Sequence, residues 1–136
     1  LSEAGGGLLY LDSSAIVKLV WRKPETGALL ELLSEWPERV SSEVTCVEVS
    51  RAVRRAGGDP DDIRRAGEIL DRLGLIHIDA EVLSIAAEVS PELRSLDAIH
   101  LATALSLGDD LGALAAYDER LARAATANGL ITLSPE

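Results

Sequence analysis

A chain of 136 residues, 47% of them apolar, has material for one hydrophobic core and needs no disulfide or structural metal to hold it. Phe and Met are absent and Cys46 is the single cysteine, so the core must be Leu, Ile, Val and Ala, and intramolecular disulfides and cysteine-based zinc sites are excluded. A formal net charge of −10 argues against broad electrostatic adhesion to nucleic acid, and no apolar run approaches the roughly 20 residues of a membrane span.

Leu1–Gly7 lacks the basic and apolar parts of a signal peptide and carries Gly5-Gly6-Gly7. It reads as a flexible N-terminal segment, a remnant of expression or trimming, ahead of a single domain over 8–136. Leu8–Leu11 is a short apolar run ending at Asp12, a buried strand. Asp12 or Ser13 caps a helix through Ile16, Val17 and Val20, which Pro24 stops. Leu29, Leu30, Leu32 and Leu33 repeat with helical spacing up to Trp36-Pro37, and Arg39–Ser42 is a short strand. Val44–Ala56 is a helix with Val44, Val47 and Ala52 on its apolar side, and the lone Cys46 within it is expected to be a small buried side chain, in keeping with a reducing cytoplasm.

Gly57-Gly58-Asp59-Pro60 ends that helix, and Asp61–Leu73 forms the next, with Gly74 as its stop. Leu75–Ile78 is a strand in which His77 alternates as a structural residue, and Val82–Val89 begins a helix that Pro91 interrupts. A helix follows over Ser95–Leu107, closed by Gly108, with Asp109-Asp110 as an exposed turn. Leu114–Tyr117 is a strand just before Asp118, Glu119–Asn128 a helix stopped by Gly129, and Leu130–Leu133 the last strand. Short apolar strands alternating with amphipathic helices indicate an α/β fold around a parallel sheet. Ligands in such sheets bind beyond the carboxyl ends of the strands.

That rule singles out the acids. Asp12 follows the first strand and Asp118 the fourth; Asp97 lies near the start of a helix, and Glu48 about one turn into the helix after the second strand. Taken singly, each has an ordinary reading: Asp12 and Asp118 as helix caps, Asp97 as an N-terminal helix acid, Glu48 as a solvated charge. Four carboxylates on one rim, however, repel one another without a cation. An all-oxygen donor set suits magnesium or manganese, which activates water against a phosphodiester. His100, three residues after Asp97, reads as a packing or hydrogen-bonding residue. Arginine and lysine clusters (Arg51, Arg54 and Arg55; Lys18, Arg22 and Lys23; Arg64 and Arg65; Arg120 and Arg123) offer a basic rim to a negative site.

The stretch Leu93-Arg94-Ser95-Leu96-Asp97-Ala98-Ile99-His100-Leu101-Ala102-Thr103-Ala104 is very similar to the third acidic motif of PIN-domain ribonucleases. Leu9-Tyr10-Leu11-Asp12-Ser13-Ser14-Ala15 resembles their opening strand and first acid. Tyr117-Asp118-Glu119-Arg120-Leu121 resembles the fourth motif, and Ser42–Val49 fits the second with Glu48 as the aligned acid. Order and spacing match from about Leu8 to Pro135, nearest to the VapC toxins of bacterial VapBC toxin–antitoxin modules. The resemblance implies a three-layer α/β/α domain around a mostly parallel sheet of four to five strands. It implies a cytoplasmic bacterial endoribonuclease using Mg2+, or Mn2+ in its place, to activate water against a transfer or ribosomal RNA. Asp12, Asp97 and Asp118 would bind metal, Glu48 would complete the set directly or through water, and Ser14 would support the first acid. A cognate VapB-type antitoxin and a homodimer are implied too. One position departs from the pattern: two residues before the fourth acid the family commonly has Thr or Ser, and here stands Ala116.

Two other classes place acids at strand ends. A haloacid-dehalogenase-like phosphatase or phospho-acceptor domain calls for a second Asp two residues after the first, where this chain has Ser14. A non-enzymatic interaction domain would carry the same acids as scattered caps and bind no metal.

Overall fold

The computed structural model describes residues 6–136. The flexible segment expected over 1–7 therefore lies, as far as residue 5, outside the described residues. In chain order the elements are β1 (Leu8–Leu11), α1 (Ser13–Val20), α2 (Thr26–Glu35), β2 (Arg39–Ser42), α3 (Thr45–Arg55), α4 (Pro60–Asp71), β3 (Gly74–Ile76), α5 (Ala80–Glu88), α6 (Ser95–Ser106), β4 (Leu111–Ala115), α7 (Glu119–Ala127) and β5 (Thr132–Leu133). The strands form one sheet in the order β3-β2-β1-β4-β5, every neighbouring pair parallel. Parallel neighbours need crossovers long enough to hold a helix, and here the helices cover both faces.

The period of two along the strands divides the core. Leu9 and Leu11 of β1, with Ala113 and Ala115 of β4, pack against Ala15, Ile16 and Val20 of α1, Leu29 and Leu33 of α2, Val49 and Val53 of α3 and Ala66 and Leu70 of α4. Tyr10 and Leu114 face the other way, onto Leu101 and Ala104 of α6 and Leu121, Ala124 and Ala125 of α7. The result is the three-layer α/β/α arrangement. Asp12, Asp59, Asp79 and Asp118 begin α1, α4, α5 and α7, each accepting from the backbone N–H three residues ahead. No helix of the described residues is long and apolar enough to cross a membrane.

Several local expectations need correction. Strand β4 runs Leu111–Ala115 rather than Leu114–Tyr117, so Ala116 and Tyr117 separate it from Asp118. Strands β3 and β5 are shorter than the apolar runs that suggested them: His77 lies past β3 and pairs with Glu43 at 3.0 Å, its side chain exposed. On α3 the buried face is Thr45, Val49 and Val53, at a spacing of four. This spacing turns Cys46 to solvent, contrary to its expected burial, and leaves Val47 58% exposed rather than on the apolar side.

The start of β4 is held against the N-terminal segment through glycine. Gly7 has φ +86°, a conformation that L side chains rarely adopt, and a Cβ there would lie 2.8 Å from the Asp110 carbonyl oxygen. A Cβ at Gly112 would overlap the Trp36 indole and the Gly6 carbonyl. Gly112→Ala should therefore destabilise the fold by about 1–3 kcal/mol through overpacking, read as a lower urea midpoint with unchanged m-value. An unchanged midpoint would show that Trp36 moves aside freely.

Candidate active site

The chain leaves β1 toward β2 on one side of the sheet, and the connection leaving β3 returns to β4 on the other side of β1. The strand order thus reverses between β1 and β4, where a crevice opens at the carboxyl ends. Asp12 sits at this point, its N–H donating to the Ala115 carbonyl at 3.2 Å. Asp12 is 3% exposed, and its carboxylate accepts from two donors. The Ala15 N–H donates to Oδ1 at 3.0 Å, and the Ser14 hydroxyl lies 2.7 and 2.9 Å from the two carboxylate oxygens. The same Ser14 oxygen accepts the Tyr117 N–H at 2.9 Å. One hydroxyl therefore joins the end of β1 to the segment leading to Asp118, opposite the position where Ala116 offers none.

Glu48 stands one turn into α3, and its two partners come from α1 and α6. The Ser13 hydroxyl donates to Oε1 at 2.5 Å, and His100 Nε2 lies 2.6 Å from the same oxygen. On the far side of the ring, His100 Nδ1 is 2.7 Å from the Tyr10 hydroxyl. Ser13, suggested by the sequence only as a helix cap, leaves that task to Asp12. The engagement of Glu48 by His100 was visible in the sequence only as the spacing of three between Asp97 and His100, which keeps both toward one side of α6.

Asp97 and Asp118 belong to the open part of the site. They line a cleft of about 340 Å³ together with Arg94, Glu119, Arg120 and Arg123. Asp118 is exposed and its Oδ1 accepts the Leu121 N–H at 3.0 Å, which fixes its orientation by capping. Of the expected basic clusters, Arg120 and Arg123 reach this cleft. Lys18 pairs with Glu25, Arg64 with Asp61 and Arg65 with Asp62. Arg51, Arg54 and Arg55 form a separate exposed group at the end of α3, with no carboxylate partner among the described residues.

Charge ties these acids together. Burial pushes the Asp12 carboxyl up to about 6, the Ser14 bond opposes this, and the Asp118 carboxylate adds to it. Burial also raises Asp97, followed by repulsion from Asp118 and then from Glu48. For Glu48, partial burial works against the charge, but the bonds from His100 and Ser13 outweigh it and hold the carboxyl below its ordinary value. Among the described residues, no three His, Cys, Asp or Glu side chains converge closely enough to make a ready metal cage. The donor set is all oxygen and mutually repelling, which fits a hard divalent cation that keeps part of its water shell rather than a fully protein-bound ion.

The Asp12 shift has a stability consequence. Below the unfolded pKa of about 3.9 Asp12 is protonated in both states and costs nothing. As pH rises toward about 6 the unfolded chain releases the proton first, so folding stability falls, and above that pH the penalty is constant. Asn caps a helix as well as Asp does. Asp12→Asn should therefore stabilise the metal-free protein at pH 7 by about 1–3 kcal/mol, with the gain vanishing near pH 4. Chemical denaturation in EDTA at the two pH values measures this, and a loss of stability at pH 7 would contradict it.

The same arrangement of elements occurs in known proteins. Residues 9–127 match the PIN domain. The chain is 47% identical over 129 residues to Ribonuclease VapC46 of Mycobacterium tuberculosis, covering 93% of this chain and 97% of that protein. It is 42% identical over 133 residues to Ribonuclease VapC35 of the same species, covering 94% and 97%. Among solved structures, M. tuberculosis VapC20, a sarcin–ricin loop cleaving toxin, superposes with TM-score 0.73 at 18% identity, over 93% of this chain and 99% of that one. A toxin–antitoxin complex from Klebsiella pneumoniae gives 0.71 at 21%, over 94% and 98%. These two share the fold. The match to the PIN domain over most of the chain, with relatives above 40% identity at nearly full length, places this chain in the PIN-domain family and, within it, among the VapC proteins.

Proposed function

We propose that this protein is the toxin of a type II toxin–antitoxin pair, a cytoplasmic endoribonuclease that requires Mg2+, or Mn2+ in its place. The observation that carries the reading is the mutual repulsion of Asp12, Asp97, Asp118 and Glu48 near the β1–β4 switch point, in a chain 47% identical to a ribonuclease. Asp12, Asp97 and Asp118 are the residues assigned to the cation, with Glu48 completing the set. When bound, the cation neutralises these acids, polarises a phosphodiester and lowers the pKa of an attacking water. Asp12, fixed by Ser14 and Ala15, supplies a carboxylate that does not need to reorganise. Glu48 stays ionised through His100 and Ser13, so it is available to orient a water or accept its proton. Arg94, Arg120 and Arg123 neutralise the phosphates flanking the scissile bond. The phosphatase reading lacks the second Asp, Ser14 being occupied as a donor to Asp12.

The substrate is a structured RNA with a single-stranded loop, transfer or ribosomal, in which bases are exposed for recognition. The working form is a homodimer. The antitoxin is assigned to an apolar cleft of about 330 Å³ between α2 and α4, where Leu19, Leu30, Leu33, Ile69 and Leu73 are flanked by Arg39, Arg65 and Arg72. An extended or helical segment with apolar side chains would fit it.

With Mg2+ or Mn2+ the purified protein should cut RNA, and Asp97→Asn should lower kcat at least about 100-fold, a typical loss for a group that stabilises transition-state charge. Undiminished cleavage by Asp97→Asn would sink the assigned site. Arg120→Ala should weaken RNA binding across sequences and reduce the slope of log K against log salt by about one phosphate contact. An unchanged slope would remove Arg120 from the substrate path.

A further inference from the structure

Burying an imidazole behind a row of acids is costly unless both ring nitrogens are satisfied. His100 is 1% exposed, and both nitrogens are engaged. Its ring stands edge-on to Tyr10, with centroids 5.8 Å apart and planes at 79°. Tyr10 is fully buried, and burial first, then the Asp12 charge, keeps its phenol protonated. The ionised Glu48 carboxylate can only accept, so Nε2, 2.6 Å from Oε1, carries the ring proton. In the neutral ring Nδ1 is then the acceptor, and the Tyr10 phenol donates to it at 2.7 Å. The Ser13 hydroxyl, 3.2 Å from Nε2, donates to the same carboxylate oxygen. Glu48 Oε2 accepts no hydrogen bond among the described residues.

We propose that His100 is a positioning residue: with its tautomer set between Glu48 and Tyr10, it pins Oε1 of Glu48 and leaves Oε2 as the oxygen presented to the cation site. The relay runs Tyr10 O–H to Nδ1, then Nε2–H to Glu48, from the core on one face of the sheet to the rim of the crevice. A ring that orients a ligating carboxylate from behind acts on metal affinity without touching metal or substrate. The inference rests on the reading of Glu48 as a member of the cation site.

The test is calorimetric titration of Mn2+ into the RNA-free protein, which separates it from the identity of the substrate. His100→Leu, near in volume, should bind Mn2+ about 10-fold or more weakly than the wild type. His100→Gln, whose amide nitrogen reaches the Nε2 position, should recover most of the affinity, and Tyr10→Phe should lose a smaller part. In a Glu48→Gln background the His100→Leu loss should disappear, because the two residues act as one unit. In RNA cleavage by His100→Leu, kcat should fall at limiting Mn2+ and recover at saturating Mn2+, while KM for RNA stays. Nitrogen-15 NMR should find the His100 proton on Nε2. Wild-type Mn2+ affinity in folded His100→Leu, or a loss that persists in full without the Glu48 carboxylate, would overturn the proposal alone. Failure of the wild type to bind Mn2+ would overturn the site reading and this inference with it. Where His100→Leu does not fold, Tyr10→Phe with wild-type affinity and a ring proton on Nδ1 would overturn it.

Discussion

The parallel pairing of β1 with β4 is the constraint on which the site depends. A parallel sheet sends all its carboxyl ends to one edge, and the reversal of strand order between these two strands keeps helices from closing the gap there. Asp12 occupies that gap at almost no exposure. Such a carboxylate is tolerable only because Ala15 N–H and the Ser14 hydroxyl are already in place to receive it. Ser14 in turn accepts from Tyr117, so the geometry of the first acid and the entry to the fourth are set by one side chain.

Electrostatics at the crevice contradicts the protein's overall charge only on first inspection. At physiological salt, exposed charges further apart than about 8 Å are largely screened. What an approaching phosphate meets is therefore the local arrangement. Three arginines share the cleft with Asp97 and Asp118, whereas Lys18, Arg64 and Arg65 are paired off with acids elsewhere. The repulsion among the acids is held in the fold rather than relaxed. Desolvation and like charge raise Asp12 and Asp97, while Glu48 is held ionised by donors from behind. The proposed cation would relieve the first two without needing to create the third.

Much of this was legible in the sequence because it follows from chain order. Apolar runs of Leu8–Leu11 type, helices between them, and acids at the ends of strands fix an α/β sheet and name the rim. The motif around Asp97 supplied what physical reading did not, since nothing in a lone helix acid distinguishes a ligand from a cap. The failures have a common cause. Val47 and Cys46 were assigned inward by their chemistry, but α3 is packed along Thr45, Val49 and Val53, and a one-residue rotation about the helix decides burial. The bounds of β4 were misread because Gly112 and Ala113 carry little strand propensity, while the close fit of Trp36 on Gly112 is a tertiary requirement. His100 was seen as a hydrogen-bonding residue, but its partners lie 52 and 90 positions away and no local pattern announces them.

The site divides into a rigid half and an open half. Asp12 and Glu48 are each fixed by bonds from side chains that are themselves buried or partly buried, so their conformational entropy is already spent in folding. Asp97 and Asp118 meet solvent and arginine side chains across a cleft wide enough to admit a phosphate. In the proposed site the rigid half would hold a cation with little reorganisation, which favours catalysis through preorganisation. An open half permits a polyanion of irregular shape to enter without a lid. The cost falls on the metal-free fold, which carries a buried, strained charge at Asp12. This locates the stability penalty at a residue of the proposed site, and makes that site, rather than the core around it, the place where fold and function compete.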